Sequence, residues 1–437
     1  MTGWNFFLYE ATMIPFEISA INLVLTFWRD DIPVAAVCAA CIVLYALINI
    51  FAVKFYGEAE FWLSSGKFLL IIIVFCFTFV TMCGGNPQHD AFGFRYWANP
   101  GSFAEHIHTG SLGRFQGFLG ALWSAAFTIV GPEYLAMVAG EAQRPRTYLK
   151  QAFKTVYWRF GVFFIGGALC VGIILPYNDP TLNAGDGAGT AAASPYVIAM
   201  RNMQVSVLPH VVNALLVTSI FSAGNAYVYC AMRSLYGLAL EGQAPRFLSK
   251  CTRSGIPVWC FAVTMVFPFL SFLAVSNGTA QAVQWLANLT EAAQIIDYIV
   301  MCLTYLYFYR ALKVQGVHRD SLPYKGWFQP YSAWIGLVGE ILVVSCYGYE
   351  TFLPGYWDTG TFFSYYLMIF VAVLTYTAWK IIKRTKVVRP EEADLVWDKP
   401  VIDAYEDALK TKPEGFWNEV LQMVGLKKKK NEPVGDE

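Results

Sequence analysis

Apolar stretches of about 20 residues, the length a helix needs to cross roughly 30 Å of hydrocarbon, recur along this 437-residue chain. Ten fit, near residues 4–27, 33–53, 62–83, 115–139, 160–176, 207–231, 257–275, 283–309, 332–353 and 361–379. The joins at 28–32 and 354–360 leave room only for tight helical hairpins. Past residue 380 the pattern changes to that of a solvated segment. The organisation predicted is therefore a transmembrane unit over 1–383 and a tail over 384–437, all α-helical. Cytoplasmic connections retain Lys and Arg. Placing the connections alternately on two sides puts 26 basic residues on one side and 4 on the other. That asymmetry predicts that both termini are cytoplasmic.

Composition supports the same class. Charged residues make up 14% of the chain and hydrophobic ones 56%, against about 25% charge in soluble domains, so a water-facing surface cannot be covered. Lys and Arg balance Asp and Glu at 31 each, which leaves no basic face for nucleic acid. The 10 cysteines are irregularly spaced, mostly in apolar runs, unlike a disulfide framework. Cys38 and Cys41 have metal-ligand spacing but no second ligand pair, so they read as small residues at a helix contact. No soluble-enzyme motif, metal site or cofactor site is visible.

Charges within the apolar spans locate the chemistry, because each is costly unless it faces a polar interior. They are Glu10, Glu17, Lys67, Glu133, Glu291, Asp297, Glu340 and Glu350. Glu133 follows Gly131 and Pro132 in the middle of the fourth span. Proline lacks an amide hydrogen and crowds the preceding turn, so with glycine beside it the helix should unwind. Broken helices of this kind bind solutes near the bilayer midplane in transporters; the bland alternative is a proline kink with a paired glutamate. In the sixth span, Ser222, Ala223, Gly224 and Asn225 suit either close helix packing or a ligand-lining face. Glu10 and Glu17 share one face of the first span, and Gln294 and Asp297 lie one turn apart on the eighth.

Several runs in order resemble fungal amino acid permeases of the amino acid-polyamine-organocation superfamily. They are residues 3–7 (GWNFF), 56–61 (YGEAEF), 127–133 (FTIVGPE), 141–146 (EAQRPR), 176–180 (PYNDP), 222–225 (SAGN) and 242–245 (GQAP). Residues 155–160, 166–172 and 322–324 look most like the dicarboxylic, or acidic, branch. The resemblance implies a leucine-transporter-like bundle of twelve helices built on an inverted repeat, of which about 10 are here and the first two are missing. It implies that Phe127, Thr128, Gly131 and Glu133 line the substrate site on the unwound helix. Ser222, Ala223, Gly224 and Asn225 would face it from the family's eighth helix. Lys67 would occupy the place of a sodium ion and brace the moving bundle, its alternative being a lysine that snorkels to the interface. Residues 290–294 depart from the pattern of general permeases.

The function implied is proton-coupled uptake of dicarboxylic, and also neutral, amino acids across a fungal plasma membrane. The partners are the amino acid, protons and the lipid bilayer, with ubiquitin ligases or trafficking adaptors on the tail. Glu133 is the candidate proton-coupling group, since a carboxylate out of water trades its charge for a proton. The chain opens without a signal peptide and as if cut. The competing reading is a truncated, non-transporting product or a nutrient-sensing membrane protein.

Overall fold

The computed structural model describes residues 1–29, 31–51, 56–128, 131–137, 144–183, 194–253, 255–277 and 279–409. The side chains at 51, 56–61, 127, 132, 136, 276–277 and 279–284 are excepted. The described chain is almost wholly helical, with no strand and one isolated bridge between Cys251 and Pro257. In order the α-helices are α1 (Thr2–Leu25), α2 (Val34–Phe51), α3 (Tyr56–Met82), α4 (Gly110–Thr128), α5 (Pro132–Met137), α6 (Pro145–Arg159), α7 (Gly166–Ile174) and α8 (Pro180–Asn183). Then come α9 (Pro195–Asn202), α10 (Leu208–Leu240), α11 (Val258–Thr264), α12 (Leu273–Asn277), α13 (Thr279–Val314), α14 (Tyr331–Cys346), α15 (Thr359–Lys383) and α16 (Lys399–Ala408).

Eight helical segments among the described residues are long and apolar enough to cross a membrane. The segment Val34–Ile50 is apolar but shorter, and the fourth predicted span is occupied by α4 and α5 on either side of an interruption. The largest difference from the sequence reading is at 145–159. Hydropathy starts the fifth span near 160, whereas α6 runs without a break through a π-turn at Phe160–Ile165 into α7. Pro145 sits at the first turn of α6, where its missing amide costs nothing, and the polar residues after it are helix formers that hydropathy cannot register.

α1 is the central helix: 72% of its most apolar window is buried, against 11% for α15. It packs chiefly on α10 and α13, with α2 alongside. Tyr9, Met13, Ile14, Ile18 and Ile21 of α1 meet Cys38, Cys41 and Tyr45 of α2, Tyr227 of α10, and Ala292, Ala293 and Ile296 of α13. Lipid tails are as apolar as these side chains, so close approach through small residues, and not water exclusion, holds such helices together. Cys38 and Cys41 are buried free thiols in this contact. Asn22 Nδ2 donates to the Cys38 sulfur at 3.5 Å. Facing outward are large apolar groups such as Phe79, Ile165, Ile335, Leu342 and Leu374, as lipid contact requires.

Part of the tail is ordered against this bundle. The Arg146 guanidinium pairs with Asp403, its backbone N–H donates to Glu406 Oε1 at 3.0 Å, and its Nη2 donates to the Lys399 carbonyl at 3.3 Å. On the other side Gln315 Nε2, just past α13, donates to the carbonyls of Pro390 and Ala393, both at 2.8 Å. Residues 390–409 therefore tie the start of α6 to the end of α13. Arg146→Ala should free α16, seen as several-fold faster cleavage by a glutamate-specific protease at Glu391, Glu392 and Glu406 while the bundle stays intact. Equal cleavage rates in the two proteins would contradict this docking.

Candidate functional site

The interruption between α4 and α5 has a local cause. Gly131 has φ +136°, a conformation side-chain-bearing residues rarely adopt, and a Cβ there would run into the Arg159 guanidinium. Pro132 then opens α5 as a first-turn proline, and the residue before a proline is driven away from helical geometry. Glu133 lies buried in the first turn of α5, and both its carboxyl oxygens accept from the Gly131 N–H at 3.3 Å. Tyr298 Oη on α13 donates to Glu133 Oε1 at 3.1 Å and accepts from Gln294 Nε2 at 2.9 Å. Arg159 lies close enough to Glu133 to attract its charge.

Around this point three further helices supply polar groups. Tyr134 Oη contacts Tyr9 Oη at 3.4 Å, and the Tyr227 ring of α10 lies 5.9 Å from Tyr134 and 6.5 Å from Tyr9. Glu10 of α1 and Asp297 of α13 share the electrostatic field of Glu133. Asn5 Nδ2 donates to the Ala293 carbonyl at 2.8 Å. Glu133, Glu10 and Asp297 thus converge from α5, α1 and α13 within a ring of tyrosines. Two cavities lie away from this point, one of about 670 Å³ beside Arg319 and Trp327 and one of about 120 Å³ beside Asp90 and Asp179. The case for the break therefore rests on buried polar chemistry and not on open volume.

The residues singled out in the sequence fall into two patches. Gly131 and Glu133 form the first; Thr128 ends α4, with its hydroxyl donating to the Ala125 carbonyl at 2.8 Å, and the Phe127 side chain lies outside the described residues. The second patch is farther along α1. Gly224 packs against the Tyr45 hydroxyl and Glu17, Asn225 Oδ1 accepts from Asn49 Nδ2 at 2.9 Å, Ser222 is fully buried, and Ala223 borders the core. Lys67 lies near enough to Glu17 to attract its charge. Ser222 to Asn225 therefore contact α1 and α2, while Tyr227, farther along α10, reaches the Glu133 cluster. Glu10 and Glu17, two turns or roughly 10 Å apart on α1, link the patches.

Sequence reading missed Arg159, counted there among cytoplasmic connections, and the tyrosines. Two signals were available: Tyr134 adjoins Glu133, and Tyr298 lies four residues beyond Gln294, on the same helical face. Among the described residues no group of His, Cys, Asp or Glu could hold a metal ion.

A chain built of apolar helices of membrane-crossing length around buried carboxyl groups is a multi-pass integral membrane protein of the transporter class. Its residues 1–390 match the amino acid permease family, and the chain belongs to that family, whose members are permeases and not enzymes. It is 44% identical to a general amino acid permease of Saccharomyces cerevisiae, over 93% of this chain and 70% of the relative. Identity is 35% to a proline-specific permease of the same yeast, over 88% of this chain and 62% of the relative. To the yeast dicarboxylic amino acid permease it is 33%, over 93% and 67%. These values correct the branch assignment made on motifs: the general permease is nearer than the dicarboxylic one.

Gly131→Ala should lower stability by about 1 kcal/mol or more, since both its backbone angle and the Arg159 contact oppose a side chain. Gly120→Ala in α4, where an added Cβ meets nothing within 4 Å, should be neutral or stabilising by about 0.5 kcal/mol. Thermal melting of the two variants in detergent checks this; equal effects would show that the strained turn is absent.

Proposed function

We propose that this permease carries amino acids across the plasma membrane by alternating access, with uptake coupled to protons. The carrying observation is Glu133, a buried carboxyl at the start of a helix interrupted by Gly131 and Pro132. It accepts from main-chain and tyrosine donors that a small rearrangement would free. In this reading α4 to α7 move against a scaffold of α1, α2, α10 and α13, and Phe127, Thr128 and Gly131 contact the solute on the interrupted segment. Ser222 to Asn225 hold α10 to α1 beside the site, and Lys67, attracted to Glu17, braces the bundle. Both termini are cytoplasmic, as the distribution of basic residues favours, and the tail is where ubiquitin ligases or trafficking adaptors would act. A dicarboxylic substrate draws no support from the site, where carboxyl groups already predominate.

Uptake of radiolabelled amino acids by cells expressing the protein, measured over a series of external pH values, tests the proton role. Wild-type uptake should fall as pH rises. Glu133→Gln, with surface expression confirmed, should lose most of that dependence and an order of magnitude in rate. A Glu133→Gln carrier with an unchanged pH profile would remove Glu133 from proton coupling.

A further inference from the structure

The geometry points to Glu10 and Asp297 as the receptor for a positive charge on the solute's side chain, which makes this chain a carrier for basic amino acids such as arginine and lysine. This rests on the transport reading above and specifies the substrate class of the same site.

The argument begins with charge. Among the described residues the buried carboxyl groups of the helical spans are Glu10, Glu17, Glu133, Glu291 and Asp297. Two have a base at hand, Glu133 with Arg159 and Glu17 with Lys67. Glu10 is 0% exposed and Asp297 2% exposed. Among the described residues the charged groups that act on Glu10 are Glu133 and Asp297, and the one that acts on Asp297 is Glu133, all of them acidic. Like charges so placed do not ionise together without a counter-ion, and a buried uncompensated charge is among the most costly features a protein can carry.

Hydrogen bonding gives a second, independent indication. Tyr134 approaches Glu10 and Asn5 approaches Asp297, yet none of the four carboxyl oxygens has a hydrogen-bond partner of ordinary geometry among the described residues. The amide oxygen of Asn5, itself 4% exposed, also lacks a donor. Its orientation is fixed because the amide nitrogen is committed to the Ala293 carbonyl at 2.8 Å. Five buried acceptor atoms on neighbouring groups thus lack a donor of ordinary geometry among the described residues, with Tyr134 and Asn5 the nearest candidates. Buried polar atoms are rarely left so, and the group that best answers them is donor-rich and acceptor-free: an ammonium with three donors or a guanidinium with five. A carboxylate, as on aspartate or glutamate, offers only further acceptors and negative charge. The faces of Tyr9, Tyr134 and Tyr227 gathered beside these carboxyl groups suit an organic cation as well, because an aromatic face carries partial negative charge.

The test is uptake of radiolabelled arginine, leucine and aspartate by cells expressing the full chain, together with melting of the purified wild-type protein in each amino acid. Arginine should be transported in preference to aspartate and should raise the melting temperature most. In Glu10→Gln and in Asp297→Asn the ratio of arginine to leucine uptake should fall at least tenfold. Preference for aspartate over arginine, or an unchanged ratio in both well-expressed variants, would overturn the assignment while leaving amino acid transport standing. If neither variant reaches the surface, the wild-type profile decides: a melting shift with leucine or aspartate but none with arginine overturns it. No uptake and no melting shift with any of the three would instead defeat the transport reading, and this inference with it.

Discussion

Nothing in the hydrocarbon of a bilayer can hydrogen-bond an exposed amide or solvate a carboxylate, so every interrupted helix and every charge at that depth must be answered by the protein or its solute. That constraint organises this molecule. Where apolar sequence runs unbroken, helices form and pack through small residues such as Ala292, Ala293 and Cys38. Where Gly131 and Pro132 interrupt it, the freed amide of Gly131 turns to Glu133, and Glu133 in turn to Tyr298 and Arg159. The break is stable because four elements converge on it, and it is polar for the same reason.

The central position of α1 follows from the same logic. A helix carrying Asn5, Glu10, Glu17, Ser19 and Asn22, all buried, has no face it can show to lipid, so it sits in the middle with α2, α10 and α13 around it. Outer helices such as α14 and α15 expose Ile335, Leu342 and Leu374 and carry few internal polar groups. Glu10 and Glu17 then divide the interior into two polar patches, one against the interrupted helix and one against α2 and α3. A carrier whose moving elements slide over a fixed scaffold needs weak, rearrangeable contacts at that boundary. Single hydrogen bonds of 3.1 to 3.4 Å, as between Tyr298 and Glu133 and between Tyr134 and Tyr9, are contacts of that strength.

Much of this was legible in the sequence. Apolar periodicity located the helices because hydrocarbon thickness fixes their length. The Gly131, Pro132, Glu133 triplet announced its break because the backbone rules for glycine and proline are local. What hydropathy could not see was helix continuing into polar sequence, as in α6. Arg159 was therefore assigned to a connection although it lies against Gly131 within a helix. The joining of Glu10, Glu133 and Asp297 depends on how α1, α5 and α13 rotate about their axes, and no local pattern encodes that. The docking of α16 was likewise invisible: acidic residues in a tail look solvated until Arg146 is placed opposite them.

Hydrogen–deuterium exchange of the purified protein, with and without an added amino acid, tests most directly whether the interruption is a binding site. Peptides covering 126–135 should exchange faster than those from the body of α4 and become protected when a transported amino acid is added. Exchange as slow as in the α4 helix, unchanged by any amino acid, would show an ordinary membrane helix at that position and contradict the account.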